Sequence, residues 1–196
     1  MITKTLILTL SYLLGSIPFG YLVARYKRID IRQHGSGNIG ATNVFRILGT
    51  NAGVTVFILD VLKGSLAVYL GLHFSHNPWF IILCGLAAII GHSFSPFLKF
   101  TGGRGVATGL GVLLGIAPDI FVFAFLFAAL VIYVTRYVSV ASILTVTLVT
   151  FALIILGRPL PYCLVALIVT ILIIVRHIPN IKRLMNGTEN KIGVNK

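Results

Sequence analysis

GVATGLGVLLGIAPDIFVFAFLFAALVIYVT, residues Gly105–Thr135, decides how often this chain crosses a membrane. As one α-helix it would be about 46 Å long at about 1.5 Å per residue, too long for an ordinary crossing of a hydrocarbon core about 30 Å thick. Gly115-Ile116-Ala117-Pro118-Asp119 lies near its middle. Proline cannot donate to the preceding turn, and aspartate is suited to capping a new helix. The segment therefore reads as two short spans with a sharp turn between them.

Five further apolar runs flank it: Thr5–Ala24, Ala52–Leu72, Pro78–Phe97, Val138–Leu156 and Leu160–Val175. His73–Asn77 and Gly157–Pro159 are short enough to be tight turns between antiparallel neighbours. The expectation is an all-α, polytopic integral membrane protein, a single domain over 1–196 with seven transmembrane helices. Charge sets its orientation. With the N-terminus outside and the C-terminus cytoplasmic, Arg25, Lys27, Arg28, Arg32, Arg46, Lys99, Arg104, Arg136 and the tail from Arg176 to Lys196 all fall inside. Only Lys4 and Arg158 face outward, and Lys63 lies within a span. Making Gly105–Thr135 a single span would place Arg136 and the basic tail outside and nearly erase that asymmetry.

Composition agrees. Hydrophobic residues make up 57% and charged residues 10%, against about 25% charged in a soluble domain, and the mean hydropathy is +1.01. The net charge of +12 does not indicate nucleic acid, because the basic residues sit in short stretches between apolar runs. Cys84 and Cys163 lie inside apolar runs as buried free thiols. Histidines 34, 73, 76 and 92 form no metal-ligand spacing. The first run lacks an A-x-A cleavage site and precedes Arg25, Lys27 and Arg28, so it reads as an uncleaved span. Asp60 and Lys63 share a helix face and can pair, either as a structural ion pair or in support of a site.

Three segments gather on the proposed inner side. Gly35-Ser36-Gly37-Asn38-Ile39-Gly40-Ala41-Thr42-Asn43-Val44-Phe45-Arg46 contains GxGxxG without a βαβ context, so no dinucleotide is implied. Its glycines, hydroxyls and Arg46 suit anion binding, and a flexible solvated loop is the other reading. Lys99-Phe100-Thr101-Gly102-Gly103-Arg104-Gly105-Val106-Ala107-Thr108-Gly109 runs into a helix start, where amides and the helix dipole favour anions. It lacks the GK[ST] ending of a Walker A loop. Gly105/Gly109 and Gly111/Gly115 are also GxxxG pairs that permit close helix packing. The third segment, Arg176-His177-Ile178-Pro179-Asn180-Ile181-Lys182-Arg183, offers a titratable imidazole and an amide at the end of the last span.

Taken together these segments resemble the PlsY family of acyl-phosphate-dependent glycerol-3-phosphate acyltransferases. The resemblance also covers Gly15-Ser16-Ile17-Pro18-Phe19-Gly20, Asp60-Val61-Leu62-Lys63-Gly64, Gly91-His92-Ser93-Phe94-Ser95-Pro96 and Arg136-Tyr137-Val138-Ser139. One departure is Arg104, which makes GGRG where the family commonly reads GGKG; arginine keeps the charge and adds fork geometry. The resemblance implies transfer of a fatty acyl group from acyl phosphate to the 1-hydroxyl of glycerol 3-phosphate, giving lysophosphatidic acid and phosphate for phospholipid synthesis. It implies no metal or cofactor, membrane lipids as surroundings, and a site facing the cytoplasm from a bacterial inner membrane.

By resemblance Ser36, Arg46, His177 and Asn180 are catalytic. Gly37, Asn38, Thr42, Asn43, Lys99, Gly102, Gly103, Arg104, Gly105 and Thr108 are expected to bind substrate or phosphate. The base is either His177 or a substrate phosphate. A transporter of an anionic solute is the rival from another class, though no internal repeat supports it. An acyl-CoA or acyl-carrier-protein acyltransferase would need HxxxxD, and no histidine here has Asp five positions later.

Overall fold

The computed structural model describes residues 2–193. Lys196, the last of the basic tail, and both ends of the expected 1–196 domain lie outside them. Every regular element among the described residues is a helix, apart from one isolated bridge pairing Ser95 and Thr101. They divide into two compact units, 1–116 and 117–196.

The first unit holds α1 (Ile2–Ser16), α2 (Phe19–Tyr26), α3 (Ala41–Leu48), α4 (Thr50–Phe74), α5 (Pro78–Ser93) and α6 (Val106–Ile116). The expected span Thr5–Ala24 is broken at Ile17-Pro18, because Pro18 has no N–H to continue the ladder. The carbonyls exposed by that break find buried donors: Ser95 Oγ donates to Ser16 O at 2.7 Å and Lys63 Nζ donates to Ile17 O at 3.0 Å. The expected span Pro78–Phe97 ends early, at Ser93. Pro96 ends it, since proline disfavours helix in the residue before it and cannot donate within it.

Small residues set the helix crossings, as they do where lipid removes the hydrophobic drive for helices to associate. A Cβ on Gly15 would overlap the Ala88 backbone between α1 and α5. A Cβ on Gly111 would overlap the Val61 carbonyl, and one on Gly64 the Thr108 carbonyl, so α4 and α6 touch backbone to backbone. Of the two GxxxG pairs, Gly111/Gly115 does this packing. Gly105 instead has φ +83, and Gly109 has room beside Ile89.

The second unit holds α7 (Pro118–Thr135), α8 (Val138–Ile155), α9 (Leu160–Arg176) and α10 (Ile178–Met185). The expected break near Pro118 is present, with Pro118 opening α7. Asp119 does not cap that helix: Ala117 occupies the cap position, and Asp119 pairs with Arg158 instead. Between α8 and α9 the hydroxyls of Thr150 and Thr170 meet at 2.8 Å, both buried. At His177 the chain bends by 53° into α10.

Large apolar side chains point outward, with Ile155 79% and Val134 70% exposed. A water-soluble surface would not carry them at this density, whereas lipid accommodates them. Among the described residues four helical stretches are long and apolar enough to cross a membrane, Ile2–Tyr26, Thr50–Phe74, Pro118–Thr135 and Val138–Ile155, or five with the bent pair Leu160–Met185. α6 has 11 residues, about 16 Å of helix, roughly half a hydrocarbon core. This is a multi-pass, all-helical membrane protein.

Candidate active site

The first loop is shaped by a short turn, Ile31–Gln33, and by Asn43 at the start of α3. Asn43 is 2% exposed. Its Nδ2 donates to His34 O at 3.0 Å and Asn38 O at 2.9 Å, and its Oδ1 accepts from Ser36 N at 2.9 Å. One buried amide thus cross-ties the segment that presents Ser36, Gly37 and Asn38. Gly35 and Gly37 have φ of 60 and 69, which glycine adopts without strain. Ser36 is exposed, while Thr42 and Arg46 are half-buried on α3. Asn43, expected among the substrate contacts, is committed to the loop backbone instead. At the base of the loop Asp30 accepts from Arg32 at 2.6 and 2.9 Å. The Arg32 hydrogen bond holds the Asp30 carboxyl down at about 2.

The glycine-rich loop follows α5 through the tight turn Pro96–Leu98. Lys99 and Phe100 both have positive φ, 54 and 59, a conformation costing about 1–3 kcal/mol per non-glycine residue unless surroundings enforce it. Here Phe100 N donates to Ser95 O at 2.8 Å and Gly103 N donates to His92 O at 3.1 Å. Lys99 is exposed, Gly102 and Arg104 are half-buried, and Gly103 and Gly105 are buried. Leu98, just ahead of this loop, packs with Ile31, Ile39 and Val44 of the first loop in one apolar cluster. The structure therefore brings the first two predicted segments together. Thr108 is fully buried where α6 crosses α4, its backbone carbonyl against Gly64 and its hydroxyl without a hydrogen-bond partner among the described residues.

His177 and Asn180 belong to the second unit, 2% and 4% exposed. His177 Nδ1 lies 2.8 Å from Ile173 O. A carbonyl only accepts, so in the neutral ring Nδ1 carries the hydrogen and Nε2 is the basic nitrogen. Asn180 Nδ2 donates to Glu189 Oε1 at 2.5 Å, which fixes the amide and leaves Oδ1, buried and without a hydrogen-bond partner among the described residues, as an acceptor. Glu189 also accepts from Ser139 Oγ at 2.8 Å and Arg183 Nε at 2.7 Å. Burial pushes its carboxyl up, but the hydrogen bonds from Asn180, Arg183 and Ser139 outweigh this and hold it below the ordinary glutamate range.

Sequence reasoning missed Glu189. The available signal was its rarity: it is the one glutamate in a chain with four acidic residues, and it sits in a basic tail. No cluster of three His, Cys, Asp or Glu side chains suited to a metal occurs among the described residues.

A family model described as glycerol-3-phosphate acyltransferase matches residues 5–187. A glycerol-3-phosphate acyltransferase of Halalkalibacterium halodurans is 47% identical, over 93% of this chain and 92% of its own. A second, from Moorella thermoacetica, is 49% identical over 96% and 97%. Among solved structures the chain is similar to PlsY, an integral membrane glycerol 3-phosphate acyltransferase, at 41% identity over 97% of this chain and 96% of that one. The TM-score is 0.94 for its glycerol 3-phosphate form and 0.91 for its lysophosphatidic acid form.

Proposed function

Since the chain belongs to the glycerol-3-phosphate acyltransferase family, we propose that it takes its acyl group from acyl phosphate and delivers it to the 1-hydroxyl of glycerol 3-phosphate. It is an acyltransferase of phospholipid synthesis that makes lysophosphatidic acid. The observation carrying it is the likeness, along nearly the full chain, to a structure with glycerol 3-phosphate and another with lysophosphatidic acid.

In the reaction the glycerol 3-phosphate oxygen bonds to the acyl carbonyl carbon. The bond from that carbon to the phosphate oxygen breaks, and phosphate leaves with its electron pair. The hydroxyl proton passes to His177 Nε2 or to a substrate phosphate. Asn180 Oδ1, oriented by Glu189, accepts from the attacking hydroxyl and aligns it. Ser36 acts from the first loop, and Arg46 offsets phosphate charge. Arg104, Lys99 and the backbone of Gly102, Gly103 and Gly105 hold glycerol 3-phosphate, since two anionic reactants call for several cationic and N–H donors. Gly37, Asn38 and Thr42 line the first loop. Asn43 contributes by holding the first loop in shape, and Thr108 offers its unpartnered hydroxyl to phosphate.

Within this reading 1–196 is one domain, and the family model running through both units supports that. The membrane arrangement is seven spans with the N-terminus outside, the site on the cytoplasmic side, in a bacterial inner membrane. It is supported by the seven apolar stretches in order and by basic residues gathered in alternate loops. Purified protein given acyl phosphate, acyl-CoA and acyl-carrier protein separately tests the donor. Product from acyl phosphate alone is expected; product from acyl-CoA alone overturns the assignment.

A further inference from the structure

Asp60, Lys63 and His92 are 2%, 3% and 5% exposed, and none takes part in the chemistry just described. Buried charge is costly in a membrane helix, and an apolar trio of similar volume would often pack as well or better. We propose that this cluster is a positioning site for the glycine-rich loop, with His92 as the floor on which the glycerol 3-phosphate-binding backbone rests. The proposal depends on the reading that this loop holds glycerol 3-phosphate.

The chain of contacts begins on α4. Lys63 Nζ pairs with Asp60 Oδ1 at 2.7 Å and donates to Ile17 O, so the pair is anchored to the break between α1 and α2. Phe19 covers the ammonium, its ring centre 5.6 Å from Nζ. The same Asp60 oxygen lies 3.5 Å from His92 Nδ1 on α5, which sets one edge of the imidazole. The opposite edge faces Gly103: a Cβ built there would overlap Nε2 and crowd Cε1 and Cδ2. A Cβ on Gly102 would overlap the His92 carbonyl and the Ser93 backbone. Gly103 N donates to His92 O. Glycine is therefore required at both positions by the surface beneath the loop, and Arg104 follows directly. The height of the floor is set by an imidazole wedged between the buried Asp60–Lys63 pair, 3.5 Å from the Asp60 oxygen, and the backbone of the loop.

Steady-state kinetics test this, with glycerol 3-phosphate and acyl phosphate varied separately and folding checked by monodispersity and thermal melting. His92→Ala removes the ring but leaves the backbone bond. It should raise KM for glycerol 3-phosphate about five- to tenfold, the scale of one lost buried contact, with kcat and KM for acyl phosphate within about twofold. Gly103→Ala should raise the same KM further, because its methyl meets the ring. The double variant His92→Ala/Gly103→Ala should recover part of that loss, an outcome that general loss of packing does not produce. If His92→Ala fails to fold, His92→Asn takes its place, keeping a polar partner for Asp60 while removing the ring edge. An unchanged KM in the folded His92 variant, or a double variant worse than Gly103→Ala, overturns the proposal. Arg104→Ala separates the two readings: if it raises KM while His92→Ala does not, the floor is refuted and the loop assignment survives. If Arg104→Ala leaves KM unaltered, the loop assignment itself fails.

Discussion

Replacing Glu189 by glutamine changes one oxygen to an amino group and tests whether Asn180 is aimed by its neighbour. The carboxylate accepts three bonds, two at Oε1 from Asn180 and Ser139 and one at Oε2 from Arg183. A glutamine must turn its amino group toward one of those donors, so a charge-assisted bond worth about 1.5–3 kcal/mol disappears. If that loss is expressed in the orientation of Asn180, a factor of ten per about 1.36 kcal/mol gives a kcat/KM lower by about ten- to a hundredfold. Release of phosphate measured in detergent with folded Glu189→Gln protein reads this directly. Wild-type kcat/KM in that variant refutes the orienting role.

The acid limit follows from the same contacts. Because the folded carboxyl sits below its ordinary value of 4.5, its contribution to stability is present above that value. It fades as pH falls below 4.5 and is lost as pH passes through the lower folded value. In Glu189→Gln this step of the acid transition should be missing.

Asn43→Leu removes four loop hydrogen bonds, to Ile31 O, His34 O, Asn38 O and Ser36 N, and should abolish activity while leaving the membrane helices intact by circular dichroism. Retained activity would show that the first loop keeps its shape without the amide. Gly111→Ala forces a methyl against the Val61 carbonyl and should lower the melting temperature by several degrees, an effect of about 1–3 kcal/mol. Gly109→Ala, with open space, should leave it within about one degree on the same scale, and equal shifts would refute the crossing.

The helices were legible because lipid-facing spans announce themselves as long apolar runs, and Pro118 marked its break correctly. Pro18 and Pro96 carried the same signal, but they lie inside or at the edge of runs whose average hydropathy hides a single missing N–H. The roles of the site residues were less legible. Asn43 and Asn180 are the same side chain in sequence, yet one is spent on backbone carbonyls and the other keeps an acceptor open. That difference arises from partners far along the chain, Glu189 for Asn180 and the His34 and Asn38 carbonyls for Asn43. Spacing does not reveal such partners. The Asp60–Lys63 pair was visible as i, i+3 on one helix, whereas His92 joins it only through the crossing of α4 and α5.

All four acidic side chains stand against a basic one: Asp30 with Arg32, Asp60 with Lys63, Asp119 with Arg158 and Glu189 with Arg183. The surplus of +12 must then be neutralised by material that is not protein. In a bilayer that material is the phosphate of surrounding lipids. The product of this reaction is itself an anionic lipid, so the chain draws its counter-ions from the class of molecule it builds, and a membrane poor in acidic headgroups would leave it electrostatically exposed.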